Sequence, residues 1–444
     1  MITRLDHKHL IENVIIIIIG AVLAGVSFYI SHIVPFPYND KLITFSKYTI
    51  GLAILYLCLC VIVDFTMHGL FKHGIKYYLK HKQLLRTIKQ QLYDSGIYVK
   101  CLYMNEEVAL LPIIKISFSA DMMTGIIKIE RNIKDQLALE NRDMSTALKN
   151  YIVESSYLSE DANWQIYEIF DSSYDRRLYF KSTTEYVNHI KASSTKRIII
   201  DKLLSVPITH TLICGSTGSG KSYFTYLLIL YMYVNKKIYE LYFADPKQSG
   251  VFVVGNSINN SKTAGTIDSI IELLRSYHCM LEKRKNLMKK KLTKSKRIDA
   301  SAFDFKLKSH VLIFDEYLAF SKALSNYDKK TRDEVNSILS DIVLMGRQCG
   351  FYIIIIMQSS HASDLSAQIR DNLIFKVVLG QAERSTLEVA FGASAASDIP
   401  KYKCGAGQGF YTYQGITIKP RMLAIPTIRK FNINRILGNS LPGM

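Results

Sequence analysis

Glycine and proline are scarce in this sequence, at 23 and 9 residues, and tryptophan occurs once. That scarcity excludes a collagen-like repeat and a Pro-rich linker protein, and a hydrophobic share of 48% excludes extended disorder. Cysteine is thin as well: seven residues, odd in number and scattered at positions 58, 60, 101, 214, 279, 349 and 404, with no Cys-x-x-Cys and no paired-histidine spacing. Neither a disulfide framework nor a zinc site is supported, and a reducing compartment is the simpler reading. Acidic residues are the other deficit, since 38 Asp+Glu face 56 Lys+Arg, a formal net charge of +18. Such an imbalance suggests an acidic partner, either nucleic acid or an anionic membrane face. The 444 residues leave room for about two or three domains.

Long apolar runs are present only near the start. Val14 to Val34 is almost wholly apolar, and 21 helical residues rise about 31 Å, enough for a bilayer core. A second run, Tyr48 to Val63, follows closely. Together they predict a transmembrane hairpin over 1–66, with spans near 14–34 and 46–66, rather than a signal peptide. Arg4 and Lys8 precede the first span, and Lys72, Lys76, Lys80, Lys82, Arg86 and Lys89 follow the second. The positive-inside rule therefore predicts a two-pass protein of the cell membrane with both termini cytoplasmic. Residues 67–91 read as a basic juxtamembrane linker, either resting on anionic lipid or simply solvated.

Residues 92–200 predict a small α+β domain that serves as an adaptor or oligomerisation module. Its expected strands are Leu110 to Phe118, Ile126 to Glu130, Trp164 to Phe170 and Arg177 to Phe180, and its expected helix is Lys134 to Val153. From 201 to 444 the pattern changes to near-continuous apolar strands alternating with helices. That is the mark of an α/β domain with a mostly parallel sheet covered on both faces.

The chemistry-bearing motifs fall at the carboxyl ends of those strands, where such a sheet binds its ligand. Gly215-Ser216-Thr217-Gly218-Ser219-Gly220-Lys221-Ser222 fits G-x-x-x-x-G-K-[ST] and sits between an apolar strand and an apolar helix. Backbone amides of such a loop cradle phosphates, Lys221 can reach the β- and γ-phosphates, and Ser222 supplies a hydroxyl to magnesium. A second apolar strand ends in Asp315 and Glu316. Asp315 suits the Mg2+ shell and Glu316 the polarisation of an attacking water. Asp245 and Gln358 end two further strands, as a nucleotide contact and a γ-phosphate sensor or merely as polar strand ends. Arg347, Arg370 and Arg384 are candidates for an arginine acting in trans, and spacing does not choose among them. The basic run from Lys283 to Arg297 is either a sequence-independent DNA contact or a solvated face.

The strings HTLICGSTGSGKS, LYFADPK, HVLIFDEYLAF and MGRQCGFYIIIIMQ, spread over Thr209 to Leu423, resemble the FtsK/SpoIIIE branch of DNA-translocating ATPases. Within that branch the chain is most similar to the TcpA-like conjugative coupling proteins of Gram-positive mobile elements. The resemblance implies a RecA-like P-loop motor over 201–444 and carries ATP and Mg2+ as cofactors. It assigns Lys221 and Ser222 to the nucleotide loop, Asp315 and Glu316 to the metal and water acids, and Gln358 to the sensor. It further implies a homo-hexamer with nucleotide between subunits, completed by a neighbour's arginine, and DNA with a relaxase delivered to a type IV secretion channel. Two departures stand out: Gln358 precedes Ser-Ser where relatives often have Arg-Pro, and Ala382-Glu-Arg384-Ser replaces an Asp-Ser-Arg string. The two spans, and the lack of length after the motor for a winged-helix module, lead us to expect conjugation rather than chromosome partition. A chromosome pump and a protein-secretion ATPase are the alternatives.

Overall fold

A computed structural model describes residues 3–34, 38–131, 148, 150–193, 196–295, 299–358, 365–397, 399 and 404–433. The chain divides into two compact units, Met1–Tyr174 and Asp175–Met444.

The first unit opens with helices α1 (Leu5–Ser31) and α2 (Tyr38–Met67), both long and apolar enough to cross a membrane. They pack as a hairpin through small residues. Ser46 Oγ donates to Ala24 O at 2.8 Å, Ser27 Oγ donates to Leu42 O at 3.0 Å, and Gly20 lies against Ala53. Small side chains let the two backbones approach, and the hydroxyls find partners inside the pair. The isoleucines at 15, 16, 18 and 19 face outward.

Helix α3 (Ile75–Asp94) departs from the linker expected over 67–91. Leu84, Ile88 and Leu92, spaced four apart, bury one stripe. They share a core with Ile116, Ile127, Ile129 and Ile169 of the following sheet. Two of its cations are also engaged: Lys80 pairs with buried Asp171 at 2.7 Å, and Lys82 with Asp64 at 2.7 Å.

Strands β1 (Val99–Tyr103) and β2 (Glu106–Leu110) form an antiparallel ribbon. Strands β3 (Ile114–Phe118), β4 (Thr124–Glu130), β5 (Tyr151–Leu158) and β6 (Trp164–Asp171) form an antiparallel sheet in the order β3-β4-β6-β5. The single strand expected over Leu110 to Phe118 is thus two strands, because Pro112 lacks the N–H a continuous ladder needs. The helix expected over Lys134 to Val153 ends differently too: Tyr151 already belongs to β5, paired across to Asp171. Residues 134–147 and 149 lie outside the described residues.

The second unit begins at Asp175, ahead of the boundary expected near 200. Its first helix, α4 (Thr183–Ala192), contributes Tyr186, Val187 and Ile190 to the main core. Arg176, almost fully buried, donates to Asp201 Oδ2 at 3.0 Å, and that same oxygen accepts from Ala424 N at 3.1 Å. Residues 175–206 are therefore stitched into this unit by an internal ion pair.

Its elements then alternate. Strand β7 (Thr211–Gly215) leads to α5 (Lys221–Val234), β8 (Tyr239–Ala244) to α6 (Gly250–Asn259), and β9 (Thr263–Ala264) to α7 (Ile267–Ser295). Strand β10 (Ser309–Phe314) leads to α8 (Tyr317–Leu324) and α9 (Lys329–Cys349), and β11 (Phe351–Met357) to α10 (Ala367–Asp371). Strand β12 (Phe375–Leu379) leads to α11 (Arg384–Phe391), and β13 (Gln408–Tyr413) and β14 (Arg421–Ala424) close the sheet.

The sheet order is β9-β8-β10-β11-β7-β12-β13-β14, parallel through β12 and antiparallel thereafter. This mostly parallel sheet is the one expected. Side chains alternate between its faces. Ile213, Phe243, Ile313 and Ile354 meet α5, whereas Leu212, Tyr242, Leu312 and Ile353 meet α7 and α9. Both faces are dry, which is why these strands read as continuous apolar runs.

Candidate functional site

Because β7, β8, β10, β11 and β12 are parallel, Gly215, Ala244, Phe314, Met357 and Leu379 end at one edge of the sheet. Everything the sequence assigned to the site follows one of those ends, except Arg347 and Arg370.

The loop after β7 is shaped by close backbone approach. Gly215 has φ +149°, and a Cβ there would collide with the Leu379 carbonyl oxygen and stand 2.8 Å from Ser219 Oγ. Only glycine allows β12 and the loop to lie so close. Ser216, Thr217 and Gly218 are exposed, whereas Ser219 is buried with its Oγ lacking a hydrogen-bond partner. Lys221, 9% exposed, opens α5 and donates through Nζ to Gly215 O at 2.5 Å and Ser216 O at 2.9 Å. Burial lowers the pKa of its ammonium, and the nearby Glu316 charge works the other way. Ser222, next on the helix, is exposed. The helix N-terminus, a buried hydroxyl without a partner and a lysine at the mouth suit this loop to a nucleotide's phosphates.

Asp315 and Glu316 follow β10. Asp315 N donates to Ala244 O at 2.9 Å, which fixes the strand end. Burial, reinforced by the charge of Asp245, pushes the Asp315 carboxyl up to about 6. Glu316 adopts a left-handed backbone, φ +46° and ψ +49°, rare for a residue with a side chain. Strain of this kind concentrates at functional sites.

Asp245 has a different task from the nucleotide contact expected of it. It is fully buried, and its carboxylate accepts from Lys247 N at 3.0 Å, Ser249 N at 2.7 Å, Ser249 Oγ at 2.7 Å and Phe252 N at 3.3 Å. It thus organises the turn into α6. Ser249 Oγ also reaches Asp315 Oδ2 at 3.4 Å, so the turn abuts the acidic pair. That turn carries a residue to which the sequence reading gave no role: Lys247 Nζ lies 3.2 Å from Glu316 Oε2. Gly380 and Gly407 were missed as well. Gly380 packs on Ser219, and Gly407 N donates to Ser219 O at 2.8 Å, so the segment after β12 and the one before β13 support the loop from behind. The glycine-rich string Gly405-Ala-Gly407-Gln-Gly409 was the available signal.

Gln358 follows β11 directly and is exposed at the same edge. Ser359 and Ser360 lie outside the described residues. Arg384 also stands on this side, at the start of α11, 74% exposed and paired with Glu388 at 2.8 Å. Arg347, in the last turn of α9, and Arg370, in that of α10, precede β11 and β12 and so stand at the opposite, amino edge. Neither can reach a nucleotide on its own chain's loop. Arg370 pairs with Asp371 at 3.4 Å, and Arg347 lines a cavity with His210 and Tyr413.

The basic run divides. Arg284 is structural, donating to Lys308 O at 3.0 Å, Cys349 O at 3.2 Å and, through Nη2, to His310 Nε2 at 3.1 Å. Lys285 pairs with Glu282 at 2.7 Å. Lys283, Lys289, Lys290 and Lys294 are exposed, and Lys296 and Arg297 lie outside the described residues. Helix α7 has 29 residues, about 43 Å against about 20 Å for a six-residue strand. Arg284 marks where it passes the amino edge, so the lysines from 289 onward stand beyond that edge.

Residues 181–315 match the FtsK/SpoIIIE family model. A curated relative, the FtsK domain-containing protein YdcQ of Bacillus subtilis, is 28% identical over 200 residues, covering 45% of this chain and 40% of the relative. The chain therefore spans less than half the length of that relative. Among solved structures, the pCW3 conjugation coupling protein TcpA, in monomer form with ATPγS, is similar at TM-score 0.47 and 17% identity, over 81% of this chain and 98% of that one. The cytoplasmic domain of the type VII secretion ATPase EccC of Thermomonospora curvata is similar at TM-score 0.40 and 16% identity, over 52% of this chain and 28% of that one.

Proposed function

We propose, from the match of residues 181–315 to the FtsK/SpoIIIE family model, that the chain is a membrane-anchored, ATP-driven DNA translocase with a P-loop ATPase domain of that family. In this reading it is the coupling protein of conjugative transfer, delivering the DNA of a plasmid or integrative element, with its relaxase, to a type IV secretion channel. The observation that carries the reading is one sheet edge bearing the phosphate loop with Lys221, the acids Asp315 and Glu316, and Gln358, in a chain that also carries, earlier in its sequence, a hairpin long and apolar enough to anchor in a membrane. Lys221 would hold the β- and γ-phosphates, and Ser222 with Asp315 would hold Mg2+, which neutralises phosphate charge when bound. Glu316 would take the proton of the attacking water. The positive-inside rule puts both termini and the motor in the cytoplasm.

The two edges of the sheet suit a homo-hexameric ring. A subunit holds nucleotide at its carboxyl edge and offers Arg347 or Arg370 from its amino edge to a neighbour. Arg384, already on the nucleotide side and paired within its helix, is the weaker candidate for action in trans.

The full chain in detergent tests this reading through its ATPase rate with no DNA, single-stranded DNA and duplex. We expect stimulation by DNA. No stimulation by either form would overturn the reading, and stimulation by duplex alone would favour chromosome partition. Replacing Lys289, Lys290 and Lys294 together by alanine is expected to weaken duplex binding and reduce the slope of log K against log salt by about 2–3. An unchanged slope would assign these lysines to a solvated face.

A further inference from the structure

The strand order sets two loops on opposite flanks of Glu316. Lys247 follows β8 and Glu316 follows β10, its neighbour, whereas the phosphate loop follows β7, beyond β11 on the other side. The 3.2 Å ion pair with Lys247 therefore draws the Glu316 carboxylate toward the flank away from the phosphates. The turn bearing Lys247 is held firmly. Asp245 accepts from three backbone amides within it or just after it, Gln248 N donates to Asp245 O at 3.0 Å, and Gln248 Nε2 donates to Gly265 O at 3.3 Å. Only the end of the lysine is free to move, and its side chain is 49% exposed against 13% for Glu316. A fixed backbone with a half-exposed cationic tip makes a restraint that can be released without unfolding anything.

We propose that Lys247 is a positioning residue that holds Glu316 on the β8 side of the site and so restrains hydrolysis until their ion pair is broken. The inference rests on the assignment of Glu316 as the water-polarising acid. A half-exposed pair of this kind shifts a population by about two- to fivefold. In the full chain in detergent without DNA, Lys247→Ala and Lys247→Gln are therefore each expected to raise kcat for ATP hydrolysis about two- to fivefold. KM for ATP and the thermal midpoint should not change. Lys247→Arg, which keeps the charge, should behave as the parent chain. Raising salt screens the pair, so the parent's rate should climb toward that of Lys247→Ala, whose own rate stays level.

A kcat that is unchanged or lower in both neutral variants would overturn the proposal, as would a parent rate that salt leaves fixed. Glu316→Gln run alongside separates the two failures. If it hydrolyses ATP like the parent, the assignment of Glu316 is wrong; if it is inactive while Lys247→Ala matches the parent, only the restraint is wrong.

Discussion

Glu316→Gln should still bind ATP and lose hydrolysis, with kcat falling by about 10²–10⁴, the usual contribution of a positioned general base. The amide keeps the size and shape of the carboxylate, and the left-handed backbone at this position is unaffected by the change. What disappears is the ability to accept water's proton. Binding depends on other groups, namely the phosphate loop and Lys221, which are carried by β7 and α5 rather than by β10. Single-turnover hydrolysis beside equilibrium binding of a fluorescent nucleotide separates the two. A loss of less than about tenfold would remove Glu316 from the role of base.

Arg176→Met should cost about 3–5 kcal/mol of stability, because it leaves a buried carboxylate without its cation. Asp201 is fully buried, and its carboxylate also accepts from Leu203 N, Leu204 N and Ala424 N, so it cannot swing out to water without abandoning three backbone donors. For a unit of this size the thermal midpoint should fall by about 10 °C. Lys202→Ala, which removes an exposed bond to Asp175 O, should change stability by less than about 0.5 kcal/mol. Burial already raises the Asp201 carboxyl above its ordinary value even with Arg176 beside it. A raised folded pKa favours the protonated form on folding, so the penalty grows as pH rises and is relieved as pH falls toward the unfolded value. The deficit of Arg176→Met should therefore narrow in acid. An equal deficit at all pH values would mean that lost packing, not the stranded charge, is responsible.

The phosphate loop and the Asp315-Glu316 pair were legible because each is a contiguous string attached to an apolar strand, and strand direction then places them together. Gln358 was readable on the same ground. Asp245 and Lys247 were not. The carboxylate of Asp245 is taken up by amides within its own turn, which no spacing distinguishes from a ligand contact. Lys247 meets Glu316 only because β8 lies beside β10, a fact of sheet order rather than of sequence. The unit boundary moved to Asp175 for a similar reason, since Arg176 and Asp201 are ordinary charged residues until the fold buries them together. In the first unit, the stripe of Leu84, Ile88 and Leu92 was present in the sequence, but the basic residues around it suggested lipid or solvent rather than a sheet as its partner.

The serine-lined seam of the hairpin bears on how the chain would associate. Ser27, Ser46 and Tyr56 bond across to the facing helix, and Ser31 and Thr49 bond to carbonyls of their own helix. Helices in lipid gain little from burying apolar surface against one another and rely on small residues and polar contacts. These five hydroxyls are satisfied within the hairpin, so their hydrogen bonds serve its own two helices and are not on offer to a neighbouring one.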